Sequence, residues 1–257
     1  MTKAIEPIFL TTTMLAMLYK GKERHSATGF FFKGNKNIFL VTNKHVIYGK
    51  NYSDPYAQPI VDSIKTMLHI DLSDLSRNEE TELPLYKNGM PVWLEHKQKE
   101  IDVVCIPLNL DSKFLVVPVS EELLNSEGIV VGFEKIFVMG YPYAWYDDYY
   151  NLPITRIGHL SSPFGVPFRN NPFLIGDVET HPGMSGSPVL IHLKDYVTTD
   201  ENGRRVTHLG SSRLILAGIF SGQPEWRIND KATVRPIDIP HSLSVIWFAN
   251  LIQQILG

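Results

Sequence analysis

Three separate stretches of the sequence carry residues that could act together in acyl transfer. His45 follows the apolar run 37–42, Asp102 lies inside the largely apolar run 99–108, and Ser185 stands in the stretch HPGMSGSP. Acyl transfer from a serine requires a base that takes the hydroxyl proton and a carboxylate that orients and stabilises this base. The three residues are far enough apart along the chain to come from three separate turns or strands.

The surroundings of Ser185 supply a third requirement, which is N–H donors for the oxyanion. Gly183 and Gly186 would let the backbone adopt unusual dihedral angles and approach a substrate closely. The N–H groups of Gly183 and Ser185 could then point at one oxygen, and each such donor lowers a barrier by roughly 3–4 kcal/mol where it has been measured. The simpler interpretation is a turn before the apolar run VLIHL, because glycine and proline are common in turns.

Each of the other two stretches also has a purely structural interpretation. His45 could be one surface histidine among nine, and Asp102 could cap a turn at the start of a strand. A carboxylate in an apolar run is costly to bury unless it is satisfied, which a role in orienting His45 would provide. Cys105 in the same run is interpreted as a small core residue rather than a nucleophile, since the sequence around it is not electropositive.

A second arrangement of the same nucleophile uses residues near the C-terminus. Ser185, Asp238 and His241 follow the chain order of an α/β-hydrolase triad. The serine turn of that fold requires G-x-S-x-G, whereas Ser187 stands at the last position, and the chain lacks alternating strands and helices. No group of His, Cys, Asp and Glu residues has metal-ligand spacing, so we expect no metal and no other cofactor.

Composition and charge exclude several function classes. The chain has 257 residues, of which 44% are hydrophobic and 20% are charged, as in an ordinary soluble globular protein. A net charge of −3 with no block of like charges predicts no nucleic-acid partner. A single cysteine excludes an intrachain disulfide and fits a reducing compartment. Without a signal-peptide pattern or an apolar run near the roughly 20 residues that span a bilayer, we expect a cytoplasmic protein with no membrane contact.

Short apolar runs separated by Gly, Pro, Asn or Asp predict an all-β sandwich or barrel. Two segments, 51–99 and 194–212, look like insertions, the second with a hairpin tip at Asn202-Gly203. Near the C-terminus, apolar residues at helical spacing predict a helix over 241–257 that packs against the barrel. The predicted strands cover residues 12–20, 26–32, 37–42, 101–107, 114–118, 135–140, 154–161, 173–178, 187–192 and 214–221.

Five stretches of the sequence resemble motifs of the chymotrypsin-fold serine peptidases. TNKHV resembles their histidine motif, DVVCIPL the strand that carries their aspartate, and GDVETHPGMSGSPVL the stretch that carries their serine. VMGYPYAWYDDYYNLPITRIGHLSS resembles the segment before the serine loop, and LAGIFSG resembles the strand that lines the specificity pocket. The likeness is strongest to the bacterial branch that includes glutamyl endopeptidases and HtrA-type proteases, and it covers roughly residues 25–222.

The resemblance implies an architecture that is more specific than the strand pattern alone. It implies one all-β peptidase domain made of two six-stranded antiparallel β-barrels, with a cleft between the barrels and a helix at the C-terminus. On this basis we expect the first barrel in residues 1–118, the second in residues 119–240 and the C-terminal helix in residues 241–257.

The resemblance also assigns roles to the residues that could do chemistry. His45 would act as general base and then as acid, Asp102 would orient it, and Ser185 would form an acyl-enzyme with a protein or peptide substrate. The oxyanion hole would comprise Gly183, Met184 and Ser185, with Met184 shaping the loop between the two donors. The implied function is a serine endopeptidase, and the alternative is a peptidase-like module that binds a peptide as an added strand without cutting it.

The residues implied to bind substrate give mixed indications of specificity. Glu179 stands where trypsin has the aspartate that binds basic side chains, and Phe220 stands where glutamyl endopeptidases have a histidine. If Glu179 faces the pocket it favours Lys or Arg; if it faces outward, which we expect, Phe220 favours an apolar residue. Ser221 could hydrogen-bond Asp102 and offer its backbone to an extended substrate. Thr180 matches a pocket threonine of the glutamyl endopeptidases. The full implied set is Glu179, Thr180, His181, Phe220, Ser221 and Gly222.

One departure from the family pattern concerns activation. Met184 stands where zymogen-activated relatives have an aspartate that pairs with a newly cut N-terminus. We therefore expect no activation by N-terminal cleavage, and a protein activator becomes a possible partner. The aromatic and acidic loop AWYDDYYNLP, residues 144–153, could contact the substrate or a partner, or could be an exposed loop beside the second barrel.

Overall fold

Most of the described chain folds as antiparallel β-strands, as the turn-separated apolar runs predict. The computed structural model describes residues 5–124, 129, 133–223, 227–230, 233–236 and 242–257. The helices are three short 3-10 turns at Pro7–Leu10, Glu121–Leu124 and Pro142–Ala144, and two α-helices, α1 (His45–Tyr48) and α2 (Leu251–Leu256). The strands are β1 (Thr12–Tyr19), β2 (Lys22–Lys33), β3 (Ile38–Thr42), β4 (Ser63–His69), β5 (Asn78–Pro84), β6 (Tyr86–Lys87), β7 (Met90–Pro91), β8 (Leu94–Glu95), β9 (Val104–Pro107), β10 (Lys135–Gly140), β11 (Ile154–Leu160), β12 (Phe173–Asp177), β13 (Pro188–Thr199), β14 (Arg205–Gly222), β15 (Arg227–Asp230), β16 (Thr233–Pro236) and β17 (Leu243–Phe248).

The N-terminal sheet has seven strands in the hydrogen-bonded order β5-β4-β1-β2-β3-β9-β8. One of its faces buries an apolar cluster that includes Leu15 and Leu40. Phe31 of β2 joins this cluster, whereas Phe30 and Phe32 join a second cluster on the opposite face. Successive strand residues point to opposite faces of a sheet, so the run of three phenylalanines is buried on both faces.

The C-terminal sheet has six strands that are hydrogen-bonded in a closed cycle, in the order β10-β11-β12-β17-β14-β13. Its interior is filled by branched aliphatic side chains, among them Ile136, Val138 and Ile246. The alternate residues of β10, Phe137 and Met139, lie on the outer face. The strands of this sheet are therefore also covered on both faces over much of their length.

The two sheets are joined by a shared apolar cluster built from their outer faces. Phe30 and Val41 enter it from the N-terminal sheet, and Ile219 and Trp247 enter it from the C-terminal sheet. Cys105 is fully buried in the same cluster, and this burial raises the pKa of its thiol. Cys105 is thus a core residue, as its sequence context predicts.

The predicted C-terminal helix over 241–257 is wrong for most of its length. Leu243–Phe248 forms β17, which pairs with β12 and β14, and only Leu251–Leu256 is helical. Ile246 lies inside the C-terminal sheet while Trp247 lies between the sheets, so apolar residues are needed at consecutive positions. The spacing of the apolar residues in this run resembles that of a helix. Because the run forms β17, the second sheet extends to residue 248 rather than 240. Residue 241 lies outside the described residues.

Two other predictions about elements change in the structure, and a third, the hairpin tip, is confirmed. The segment 51–99 is an extension of the N-terminal sheet, since β4, β5 and β8 belong to it, so this sheet has seven strands instead of six. Residues 114–118 contribute only an isolated bridge between Leu115 and His69. The segment 194–212 lengthens the β13–β14 hairpin, and its turn has Gly203 at φ 76°, at the predicted tip. Within the described part of the chain, no helix has the length and apolar character that crossing a bilayer requires.

The pairing of β14 with β17 leaves no room for a side chain at Gly218. A Cβ atom there would lie 2.1 Å from the Trp247 carbonyl oxygen, so the backbone of one strand would have to move. We expect Gly218→Ala to lower the free energy of unfolding in urea by about 3 kcal/mol. Gly210→Ala is the control, because a Cβ at Gly210 meets no atom and only its positive φ costs about 1 kcal/mol. Equal losses in both variants would contradict this explanation.

Candidate active site

The three residues of the predicted triad come from separate segments that meet where the two sheets join. His45 is the first residue of α1, three residues beyond the end of β3, and Asp102 lies two residues before β9. Ser185 lies in the loop between β12 and β13. β3 and β9 are neighbours in the N-terminal sheet, which brings His45 and Asp102 together, whereas Ser185 arrives from the C-terminal sheet.

A continuous chain of hydrogen bonds links the three side chains. His45 Nδ1 lies 2.6 Å from Asp102 Oδ2, and His45 Nε2 lies 2.9 Å from Ser185 Oγ. The backbone N–H of His45 donates to the other carboxylate oxygen, Asp102 Oδ1, at 2.7 Å. The carboxylate therefore holds both the ring and the backbone of the histidine, which leaves Nε2 directed at the serine hydroxyl.

Asp102 is a buried carboxylate whose hydrogen-bonding capacity is well used. It is only 1% exposed, and its Oδ2 also accepts a hydrogen bond from the Ser221 hydroxyl. The side-chain amide of Asn43 donates to the Asp102 carbonyl at 2.7 Å and anchors its backbone. The sequence predicts this bond of Ser221 but not the role of Asn43, although Asn43 stands two residues before His45. A buried charge needs such partners to be tolerated.

Two opposing effects act on the pKa of His45. Burial lowers this pKa, but the negative charge of Asp102 and its hydrogen bond raise the pKa, and the net result lies above the ordinary value of 6.5. The pair of groups therefore favours the imidazolium form. A base whose protonated form is stabilised in this way is suited to take a proton from a neighbouring hydroxyl.

The loop that carries Ser185 depends on two glycines. Gly183 and Gly186 have φ angles of 96° and 88°, which non-glycine residues rarely adopt. A Cβ at Gly183 would lie 2.4 Å from the Tyr141 carbonyl oxygen, and a Cβ at Gly186 would lie 2.1 Å from the Thr28 carbonyl oxygen. Both positions therefore require glycine for conformation and for space, as the sequence predicted for a tightly packed backbone loop.

The two predicted oxyanion donors belong to peptides whose carbonyls are bound on the opposite side. Tyr143 N–H donates to the Pro182 carbonyl at 2.7 Å, and Ser187 N–H donates to the Met184 carbonyl at 3.0 Å. In a trans peptide the N–H points away from the C=O. The N–H groups of Gly183 and Ser185 belong to the same peptides as these two carbonyls, so they point away from Tyr143 and Ser187. Among the described residues, neither N–H has a protein acceptor. These N–H groups, of Gly183 and Ser185, are available to a ligand.

Thr28 of β2 fastens the loop that carries Ser185 to the N-terminal sheet, a role that its local sequence does not predict. Its N–H donates to the Ser185 carbonyl at 2.9 Å, and its hydroxyl donates to the Gly183 carbonyl at 2.8 Å. The same hydroxyl accepts the N–H of Tyr141 at 3.1 Å, while the Thr28 carbonyl accepts the Thr42 hydroxyl. A polar residue in the strand SATGFFF was the one signal of this role.

The residues predicted to bind substrate fall into different environments. The Glu179 side chain is 73% exposed and pairs with Arg156 at 2.6 Å, so it faces outward. Phe220 is only 2% exposed and packs inside the C-terminal sheet with Met184, so it offers little surface to a substrate, contrary to the prediction. Thr180 is half-buried, and His181 stacks on the ring of Tyr143 at 5.2 Å.

A cleft of about 390 Å³ opens beside the triad. It is bounded by His45 and Asp102 on one side and by Ser221 and Gly222 at the end of β14. Over the parts of the chain that the structure describes, no group of three or more His, Cys, Asp and Glu residues could hold a metal ion. Asp238 and His241, the partners in the alternative hydrolase triad, lie outside the described residues. The remaining lining residues are Lys50, Tyr52, Asn171, Phe173, Gln223, Val245 and Trp247.

Comparison with known proteins gives one family and a fold. The family model described as a trypsin-like peptidase domain matches residues 27–195, a range that contains His45, Asp102 and Ser185. A comparison with curated proteins found no match. Among solved structures, the chain is similar to a serine endoprotease from Yersinia pestis, with a TM-score of 0.53 and 14% identity over 96% of this chain and 62% of that chain.

A second solved structure supports the same fold over nearly its whole length. The chain is similar to the thermostable serine protease AL20 from an extremophilic microorganism, with a TM-score of 0.52 and 9% identity over 97% of each chain. At these identities the likeness concerns the fold. The chain spans less than two thirds of the Yersinia protein, at 62% of its length.

The hydrogen bonds of Thr28 can be tested by removing its hydroxyl without changing its shape. Thr28→Val leaves the Gly183 carbonyl and the Tyr141 N–H unpaired, and we expect the free energy of unfolding in urea to fall by about 3 kcal/mol. Thr28→Ser keeps the hydroxyl and removes one methyl group, so about 1 kcal/mol is expected. If both variants lose the same amount, packing of the methyl group and not hydrogen bonding holds the loop.

The opposing effects on His45 can be separated by removing the charge of Asp102. In the wild-type protein we expect NMR titration to give a pKa for His45 above 6.5, because the carboxylate outweighs burial. In Asp102→Asn the negative charge is lost and burial becomes the larger effect, so the pKa of His45 should fall below 6.5. The His45→Gln variant identifies the signal among the nine histidines. A pKa that stays above 6.5 in Asp102→Asn would contradict the assigned cause.

Proposed function

Because this chain belongs to the trypsin-like peptidase domain family, we propose that it is a serine endopeptidase that hydrolyses peptide bonds through an acyl-enzyme. The observation that carries the proposal is the unbroken hydrogen-bonded path from Asp102 through His45 to Ser185. The family match and the fold support a serine peptidase, and the geometry supports the assignment of these three residues.

In the acylation half, Ser185 attacks the carbonyl carbon of the scissile bond. His45 Nε2, 2.9 Å from the serine oxygen, accepts the hydroxyl proton as the Oγ–C bond forms. Asp102 stabilises the imidazolium that results, and the N–H groups of Gly183 and Ser185 bind the oxyanion. Each of these interactions is stronger in the transition state than in the ground state, which is the condition for catalysis.

His45 next acts as an acid to complete acylation, and it then acts as a base and an acid again in deacylation. The imidazolium of His45 donates its proton to the leaving nitrogen as the C–N bond breaks, which leaves the acyl group on Ser185. A water molecule then gives a proton to His45 and attacks the ester, and the serine oxygen departs with the proton returned from the imidazolium. The same base and the same oxyanion donors therefore serve both halves.

Activation does not depend on a new N-terminus in this proposal. Met184, at the position of the activation aspartate, is fully buried inside the C-terminal sheet. The peptide between Pro182 and Gly183 is instead oriented by the N–H of Tyr143. Because this orientation is set within the chain itself, it favours constitutive activity over dependence on a protein activator. It equally disfavours the alternative of a silent peptide-binding module.

The proposal excludes one substrate preference. The carboxylate of Glu179 is engaged by Arg156 at the surface, so it does not select Lys or Arg at the cleaved position. Phe220 is withdrawn into the interior, and neither residue indicates glutamate specificity. The relation to the glutamyl endopeptidase and HtrA-type branch stays a prediction, and profiling with a peptide library would identify the preferred residue.

The nucleophile can be tested directly with a fluorophosphonate probe, which reacts with activated serine hydroxyls. We expect the probe to label Ser185 in the wild-type protein and to leave Ser185→Ala unlabelled, with peptide hydrolysis reduced by up to ~10⁶-fold. The exposed Ser53→Ala variant is the control and should label like the wild type. Absence of labelling in folded wild-type protein would overturn the proposal and support the peptide-binding module.

A further inference from the structure

A stacked pair of rings lies beside the oxyanion peptide. The rings of Tyr143 and His181 are 5.2 Å apart at an angle of 27°, which is a stacked arrangement. Tyr143 is 66% exposed, so His181 covers one part of the phenol ring while much of the remainder faces solvent. An exposed aromatic ring with one supported face offers apolar surface to a ligand.

The backbone that presents Tyr143 is held in a strained conformation. Tyr143 and Ala144 have φ angles of 53° and 54°, in the left-handed region that residues with a side chain rarely occupy. Hydrogen bonds hold them there, from Tyr143 N–H to the Pro182 carbonyl and from Ala144 N–H to the Tyr141 carbonyl. Strain that the surroundings maintain is common at functional sites, and a rigid ring loses little entropy when it binds.

The position of this pair identifies the half of the substrate that it meets, which rests on the proposed function. The acyl half would lie along the cleft formed with Ser221 and Gly222, so the leaving half must continue from Ser185 in the opposite direction. Tyr143 N and Ser26 Oγ lie 3.0 Å and 3.4 Å from the place of a Cβ at Gly183, and neither residue lines the cleft that would hold the acyl half. A leaving group would therefore pass over Tyr143.

We propose that the stacked pair of Tyr143 and His181 binds a large apolar or aromatic side chain in one of the first two residues after the scissile bond. An aromatic or aliphatic side chain packs on the exposed phenol ring and removes apolar surface from water. The phenol hydroxyl is not needed for this contact. The pair therefore acts as a specificity site for the leaving half of the substrate.

Nucleophile competition measures this site apart from the acyl half. An activated nitrophenyl ester acylates Ser185, and the acyl-enzyme then partitions between water and an added dipeptide amide. The free amine attacks the ester carbonyl, its proton passes to His45, and the serine oxygen departs with the proton that His45 returns. The nucleophiles are Phe-Ala-amide, Ala-Phe-amide and Ala-Ala-amide, and the readout is the ratio of amide product to hydrolysis product.

In the wild-type protein, a nucleophile that contains Phe should give a ratio about tenfold higher than Ala-Ala-amide, from aromatic stacking together with apolar burial. Tyr143→Ala should remove this preference, whereas Tyr143→Phe should retain it because the ring is unchanged. Tyr149→Ala is the matched control, a tyrosine that is 64% exposed in the same loop, and it should keep the wild-type preference.

The outcomes separate this inference from the proposed function. The inference is overturned if the ester is hydrolysed but the three nucleophiles give equal ratios, or if the preference for Phe survives in Tyr143→Ala. Either result leaves the proposed serine peptidase function intact. Loss of the preference in Tyr149→Ala as well would assign it to the loop as a whole and would also overturn it. If no acyl-enzyme forms and no probe labels Ser185, the proposed function fails and the inference fails with it.

Discussion

The alignment of Ser185 with His45 depends on hydrogen bonds that one buried threonine makes between the two sheets. Thr28 belongs to the N-terminal sheet, yet it binds the carbonyls of Gly183 and Ser185 in the loop that precedes β13. His45 follows β3, the neighbour of the strand that carries Thr28. Apolar packing between the sheets tolerates small displacements, whereas these directional bonds do not, so they set the 2.9 Å contact between the two side chains.

The buried carboxylate of Asp102 connects the same two halves by a different route. It binds His45 twice within its own sheet and accepts the hydroxyl of Ser221 from the end of β14. Separation of the sheets would remove the Ser221 hydroxyl from this carboxylate, and a buried charge that loses a hydrogen bond is destabilised. The charge that raises the pKa of His45 is thus also a constraint on the packing of the sheets.

The strands, and the three residues that the structure joins by hydrogen bonds, could be predicted because their signals are local. Turn residues separate the apolar runs, and the hairpin tip at Gly203 carries its own glycine signal. The C-terminal helix was predicted wrongly because β17 is buried on both faces, with Ile246 inside one sheet and Trp247 against the other. Such a strand shows no alternation of apolar and polar residues, so the pattern of its residues does not distinguish it from a helix. The cytoplasmic location stays an untested prediction, and so does a protein activator, which the orientation of the Pro182–Gly183 peptide by Tyr143 disfavours.

The sequence by itself determined which residues are candidates for the chemistry, since His45, Asp102 and Ser185 stand in distinctive local contexts and the loop glycines are needed where they occur. Only the tertiary structure decided how these residues are held and what surrounds them. The contacts of Thr28 and the withdrawal of Phe220 arise between segments far apart in the chain. Strand register and sheet packing set such contacts, and no local pattern of residue types contains that information.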